Sequence, residues 1–429
     1  MSRVPADPGG RLPGWRTALV AVALLVPLAA RGETPPPGLG TRFTDVTAAA
    51  GIPPTRYVEG VSLHDVDGDG LPDLVVPDQR GPNRLFLNRG GTFREAPGPP
   101  DLGEGGIGAL VHDFDGDGRS DLFFTRGNNQ HRTNLLYRGR PDGGFAEAGA
   151  ALGLAGRGNS VCAALLDADG DGNTDLLVTG WGSDLLHLGG APGAPYRDGS
   201  PLLGPPDGGR HWGIMAADFD GDGRTDLLVG GGARGRPGSP RLLLNGPGGF
   251  RDATSSAGLA DLPWSMGGAA ADLDQDGDTD LFLTFMEARD RLYLNDGRGR
   301  FSEATPGSGI TSARSMGAAV GLLDDDPLPD LVVAGFGAPT RAYRNLGGGR
   351  FLDVTAPWGI GGAGRDNSAV LADTDGDGDL DLYLTNFDGG NRLYRNDTPP
   401  GPRPARRLPA SFGFCSQGDG PDLRPPGSH

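Results

Sequence analysis

A nine-residue acidic pattern, Asp-x-Asp-x-Asp-Gly-x-x-Asp, recurs along the chain at intervals near fifty residues, and this recurrence restricts the fold more than any other feature. In Asp113-Phe-Asp-Gly-Asp-Gly-Arg-Ser-Asp121 the carboxylates stand at positions 1, 3, 5 and 9, and Gly118 at position 6 permits the sharp turn that gathers their oxygens. Intact copies run from Asp65 to Asp73, Asp113 to Asp121, Asp167 to Asp175, Asp218 to Asp226, Asp272 to Asp280 and Asp373 to Asp381. A further stretch, Asp324-Asp325-Asp326-Pro-Leu-Pro-Asp330, keeps the acids but reads as two residues shorter and lacks the glycines, so it is expected to be degenerate. First aspartates at 65, 113, 167, 218, 272, 324 and 373 are spaced by 48, 54, 51, 54, 52 and 49 residues. A period of this size belongs to one repetitive domain of seven units rather than to a string of separate domains.

Hard oxygen donors at this spacing suit calcium. The expected ligands are Asp65, Asp67, Asp69 and Asp73; Asp113, Asp115, Asp117 and Asp121; Asp167, Asp169, Asp171 and Asp175; Asp218, Asp220, Asp222 and Asp226; Asp272, Asp274, Asp276 and Asp280; and Asp373, Asp375, Asp377 and Asp381. That makes about six Ca2+ sites, each completed by the backbone carbonyl of position 7. Without a cation, four carboxylates in one turn repel one another or take up protons. Net charge is −17, and six divalent ions would bring it to about −5. An acidic chain is a poor partner for nucleic acid, whose phosphates need a basic surface. All 38 basic residues are arginine, which removes lysine Schiff-base and lysine general-base chemistry.

The repeat reads as a four-stranded blade. Around the fifth loop, Ser265 to Ala271 leads in, Leu281 to Thr284 leads out, and Arg291 to Asn295 with Phe301 to Thr305 flank an Asp296-Gly297 hairpin turn. Lead-in strands rich in Gly and Ala fit where blades crowd around an axis. A fourth-strand signature, Phe followed two residues later by Asp or Glu, stands at Phe43, Phe93, Phe145, Phe250, Phe301 and Phe351, with Tyr196 a weaker copy. The first precedes any loop, whereas the last third strand, Asn391 to Asn396, runs into Thr-Pro-Pro with no fourth strand after it. The expected fold is therefore all-β, a seven-bladed β-propeller of four-stranded blades over 43–397, its ring closed by residues 43–47 pairing with 391–396.

These loops, each followed by Leu, resemble the FG-GAP and VCBS-type calcium repeats of integrin alpha-chain propellers. The Phe-x-Asp-Val-Thr lead-ins with a following Gly-Ile, at 43–52 and 351–360, look like the cartilage acidic protein family. The likeness covers roughly residues 43 to 397. It implies loops joining strands one and two on one face of the ring, with calcium as a structural staple. Members of the cartilage acidic protein family typically carry a further carboxy-terminal domain of the ASPIC/UnbV type. Here residues 398–429 form a Pro/Arg-rich tail without strand periodicity, expected to be disordered.

At the other end, Arg3, Arg11 and Arg16 precede an apolar run from Thr17 to Ala30 with small residues at Ala29, Ala30 and Gly32. Residues 1–32 thus read as a signal peptide, followed by a linker over 33–42, and the run falls short of the roughly 20 residues of a permanent membrane span. The expected location is secreted or periplasmic, where calcium is plentiful. Of the two cysteines, Cys162 lies in an apolar run and reads as a small buried hydrophobe; no structural disulfide with Cys415 is expected.

Residues just before each first strand gather on the face away from the loops: Tyr57, Glu59, Glu104, Arg157, Asn159, Arg210, His211, Trp212, Trp264, Arg314, Arg365, Asp366 and Asn367. Taken singly, each is more simply an exposed loop residue, or a tryptophan plugging the channel; together they form a mouth for an extracellular protein or glycan, with arginine favouring an acidic ligand. The favoured function is a non-enzymatic interaction or adhesion module. The alternative is a propeller lyase or hydrolase using Glu59 and Glu104 as a carboxylate pair, or His211 as base. No nucleophile elbow, HExxH, phosphate-binding glycine loop, haem-attachment motif or zinc cluster is present. His64 and His112 directly precede loop aspartates and read as strand residues.

Overall fold

The structure, a computed structural model, describes residues 40–398 apart from 53, 97–100, 128–132, 157–158, 206–207, 232–239 and 362. The expected signal peptide over 1–32, most of the expected linker and the tail beyond Thr398 lie outside the described residues. Among the described residues, helix is confined to one 3-10 turn, Ser200–Leu203.

The fifth repeat shows how the sequence builds a blade. Ser265–Ala271, Asp280–Phe285, Arg291–Asn295 and Phe301–Glu303 pair antiparallel in that order. Leu281, Phe282 and Leu283 are fully buried, which is why this strand reads as an unbroken apolar run rather than an alternating one. The outermost strand buries Phe301 and exposes Ser302 and Glu303. Side chains of adjacent repeats share cores: Phe282 and Leu292 of the fifth pack with Val320, Leu331 and Tyr343 of the sixth.

Five repeats form separate four-stranded sheets, but the last two are joined, so the described residues make six hydrogen-bonded sheets where seven were expected. The cause is local. Asp330–Pro339 and Ala363–Ala372 are each ten residues long, and their overhanging ends pair, Phe336 opposite Arg365 and Pro339 opposite Ala363. The amino-terminal strand does pair with the last one, Phe43 opposite Asn396 and Asp45 opposite Tyr394. It spans Phe43–Asp45 rather than 43–47, because Thr47 caps the pairing with its hydroxyl, which accepts the Leu393 N–H at 3.0 Å.

A second set of bonds ties each repeat to its predecessor through the acidic loops. Asn245, Asn295, Asn345 and Asn396, at the ends of third strands, donate Nδ2–H to the carbonyls of Ala168, Phe219, Leu273 and Leu323 at 3.0, 2.8, 3.0 and 3.2 Å. Asn88 does the same to Thr374 at 2.7 Å, so the first repeat is bonded to the last. Gly139 and Gly189 replace the asparagine in the second and third repeats. There Ser120 donates to the Asp65 carbonyl at 3.2 Å, and the Gly193 N–H to that of Asp115 at 2.7 Å.

Cys162 is buried on the strand Ser160–Leu166, as expected, but it is disulfide-bonded, which corrects the reading of it as a free core thiol. Cys415 lies outside the described residues.

Asn88→Ala removes a buried amide and strands the Thr374 carbonyl. We expect a loss of about 1–3 kcal/mol in urea unfolding; an unchanged midpoint would show that the bond between first and last repeats carries no stability.

Candidate functional site

Each intact loop is organised by its first aspartate. Asp65 Oδ1 accepts the Gly68 N–H at 2.7 Å and Oδ2 the Gly70 N–H at 2.8 Å. Asp218 and Asp373 repeat the pattern with Gly221 and Gly223, and with Gly376 and Gly378. Gly70 and Gly118 at position 6 hold φ of 89° and 84°, a backbone open to glycine and strained for other residues. In each of the first five loops three carboxylate oxygens lie within 4.8 Å of one another, and the described residues hold one more such group. All the clustered donors are hard oxygens, the set that suits calcium.

The ninth aspartate is the buried end of the loop. Asp73 Oδ2 accepts the Val66 N–H at 2.9 Å and Oδ1 the Asn88 N–H at 2.7 Å, pinning the loop to the third strand. Desolvation pushes the carboxyls of Asp73, Asp175, Asp226 and Asp381 up to about 6 and those of Asp121 and Asp280 up to about 7, although backbone N–H bonds pull the other way. At position 3, Asp220 and Asp375 are raised by desolvation and by their neighbouring aspartates, and in each Oδ1 is buried with no hydrogen-bond partner. Orphaned oxygens facing other carboxylates fit a divalent cation. His64 and His112 sit on strands beside the loops, as expected, and burial lowers both below the ordinary imidazole value.

The first strand runs from the opposite rim to the acidic loop, so residues preceding it lie about 20 Å from the carboxylates, given 3.3 Å per residue. Two aromatic–arginine rows form there. Arg80 lies 3.9 Å over Tyr57, Tyr57 meets Phe387 edge-on at 5.3 Å, and Arg365 stands 4.6 and 4.9 Å from the rings of Phe336 and Phe387. Arg365 also borders a cavity of about 360 Å³ with Gly337, Pro339 and Asp388. In the other row Arg210 lies 4.7 Å over Trp181, which is 5.9 Å from Trp212, itself 6.1 Å from Trp264. Trp181 and Phe387, just after second strands, and Phe336, on the overhanging part of one, are not singled out by the sequence reading; their recurrence at one offset in the repeat is the signal that could find them. Tyr57, Asn159 and Arg314 hold φ of 59°, 73° and 59°, a strained conformation for non-glycine residues.

Other expected mouth residues are placed differently. Glu104 is exposed, whereas Glu59 is buried, with Oε1 accepting from Gln79 Nε2. Asp366 is buried against Thr340, Asn386 and Arg392, and Asn367 donates to the Val58 carbonyl, so both serve the framework. His211 is buried with Nδ1 2.7 Å from Asp184 Oδ2. Arg157 lies outside the described residues.

The FG-GAP-like repeat matches this chain in six overlapping segments, residues 65–124, 113–178, 167–229, 218–283, 272–321 and 323–384. The chain belongs to the FG-GAP-like repeat family. Among curated proteins, cartilage acidic protein 1 is 29% identical over 202 residues in Homo sapiens and 28% over 201 in Mus musculus. Each match covers 43% of this chain and 30% of the relative, so the chain corresponds to about a third of the relative's length. Among solved structures, BBS1N in its complex with ARL6DN aligns with a TM-score of 0.52 at 13% identity, over 83% of this chain and 97% of that one. Sqt1 of Saccharomyces cerevisiae aligns with a TM-score of 0.51 at 12% identity, over 84% and 98%. These likenesses agree with a propeller fold.

Within the FG-GAP-like set, hydrogen bonding corrects the register of the degenerate loop. In the intact loops the N–H of position 2 is donated to the ninth aspartate, and here that donor is Leu323, to Asp330 Oδ2 at 3.2 Å. The loop is therefore full-length. Leu322 stands at position 1, Asp324 and Asp326 at positions 3 and 5, and Asp325 and Pro327 replace the glycines.

Burial pushes the Glu59 carboxyl up to about 7, opposed by the Gln79 hydrogen bond, and Oε2 is buried with no partner. A folded-state value above the unfolded one means that its stabilisation is full below about pH 4.5 and is lost as pH rises through about 7. Glu59→Gln should therefore flatten that part of the stability–pH curve, leaving the variant up to about 3 kcal/mol ahead of the parent at pH 8. Denaturant titrations from pH 4 to 8 measure the difference; parallel curves would refute a buried titrating carboxyl.

Proposed function

We propose that this chain is an exported, calcium-stapled β-propeller of seven four-stranded blades, closed by the strand at Phe43–Asp45. It works as a non-enzymatic interaction or adhesion module, taking an extracellular protein or glycan on the rim opposite the loops. Closure is supported by two independent ties between first and last repeats, the Phe43–Asn396 pairing and the Asn88 bond to Thr374. Ninth aspartates at 73, 121, 175, 226, 280, 330 and 381 support the count of blades. The likeness to cartilage acidic protein 1 and the expected export segment over 1–32 support a secreted or periplasmic location. No helix among the described residues is long and apolar enough to cross a membrane.

The observation that carries the calcium reading is the prefolded loop, whose first aspartate is already wrapped by backbone N–H groups while Asp220 and Asp375 keep unpartnered buried oxygens. Calcium would be held by the six intact sets of aspartates named above, supplying the charge that these carboxylates lack. On the other rim, arginines stacked on aromatic rings keep their charge while lying flat, a surface suited to an acidic or aromatic-binding partner.

Chelation tests the first part. EDTA at pH 7.5 should lower the melting temperature by roughly 10 °C or more, and added calcium should restore it; an EDTA-insensitive melt would sink the metal reading. The second part is tested by screening secreted proteins and glycans against the immobilised chain. Arg365→Ala should weaken any hit about tenfold, as loss of an anchor residue does, while leaving the melt in calcium near that of the parent. An enzymatic reading draws on the Asp184–His211 pair, a carboxylate-oriented imidazole. It requires polyuronate cleavage that His211→Gln abolishes.

A further inference from the structure

The sixth acidic loop carries its own cation. Arg344, near the end of the third strand of that repeat, places Nε 2.5 Å from Asp324 Oδ2 and Nη2 2.8 Å from Asp326 Oδ2, a fork across positions 3 and 5. We propose that this guanidinium stands where the other loops take a metal ion, making the sixth repeat a metal-independent blade in a calcium-stapled ring. The inference rests on the calcium reading of the other six loops.

Three features argue that an ion does not fit here. Leu322 at position 1 offers no oxygen, so the donor that organises every intact loop is missing. Pro327 at position 6 cannot take the positive φ that Gly70, Gly118 and Gly223 adopt there, because its ring holds φ near −65°. And the oxygens left over after the backbone bonds that all the loops share, Asp324 Oδ2 and Asp326 Oδ2, are both taken by the half-buried Arg344. Asp324 Oδ1 accepts the Asp326 N–H and Asp326 Oδ1 the Leu328 N–H, each at 2.9 Å, and Asp330 accepts from Leu323 and Asn345. No oxygen of Asp324, Asp326 or Asp330 is buried without a partner, in contrast to Asp220 and Asp375.

Arginine on a loop carboxylate is not by itself the signal. Arg89 spans Asp67 and Asp69 at 2.7 Å each in the first loop, and Arg138 reaches Asp115 at 2.9 Å in the second. Those side chains are 49% and 50% exposed, free to swing out when an ion arrives, whereas Arg344 is 15% exposed and Asp324 1%. A buried, doubly bonded guanidinium is held by desolvated charge on both sides, and removing it leaves two carboxylates uncompensated.

The test compares R344Q with R89Q in the full chain, by thermal melts in calcium and in EDTA, alongside native mass spectrometry of the wild type. R344Q should melt on the order of 5 °C lower than wild type in both buffers. R89Q should match wild type in calcium and differ only in EDTA. Wild type should load six calcium ions and stop. Seven ions, an R344Q melt equal to wild type, or an R344Q deficit that calcium repairs would each overturn the proposal. If R344Q does not fold, the wild-type ion count decides. Failure of the calcium reading looks different: no bound ion and a wild-type melt indifferent to EDTA.

Discussion

The ninth aspartate of each loop is the constraint on which the rest depends. Its carboxylate is buried in all seven repeats and accepts one N–H from its own loop and another from the third strand. A buried carboxylate brings in the strand it bonds, but it also carries a charge that burial penalises, and the surrounding aspartates enlarge that penalty. The loop must therefore hold a proton, an ion or an arginine. Because the asparagine at the end of the third strand reaches from the same place to the neighbouring loop, as Asn295 does to Phe219, charge compensation within a blade and contact between blades are coupled.

That coupling divides the molecule into two rims with different chemistry. One carries the acidic loops, with carboxylates clustered on tight turns. The other is built from strained lead-in residues, second-strand ends and arginines lying against rings. Tyr57 and Arg314 keep left-handed backbones there because neighbouring strands hold them: the Tyr57 N–H is donated to the Phe387 carbonyl and the Phe336 N–H to that of Arg314. The strain is offset at Tyr57 by a bond to the last repeat and at Arg314 by a bond within its own repeat.

Much of this was legible in the residues. Ligand spacing, hairpin turns and apolar strands are local properties, so six loops, the four-strand unit and the pairing of Phe43 with the last repeat could be read directly. By residue identity alone the degenerate loop looks two residues short; the bond from the Leu323 N–H to Asp330 makes it full-length. Trp181, Phe336 and Phe387 escaped notice because their partners come from other repeats. Glu59 was misplaced for a similar reason: whether a lead-in carboxylate is exposed or sealed depends on what packs over it.

The chain by itself determined the repeat, its oxygen-rich turns and the place of a spare strand at the beginning, since each follows from spacing along the backbone and from the side chains that turns and cations demand. Tertiary structure decided which arginine is sealed against its loop, which sheets fuse, and which rings stack across repeats. Those outcomes depend on burial and on contacts between residues far apart in sequence, and no local pattern encodes how much water a group will lose.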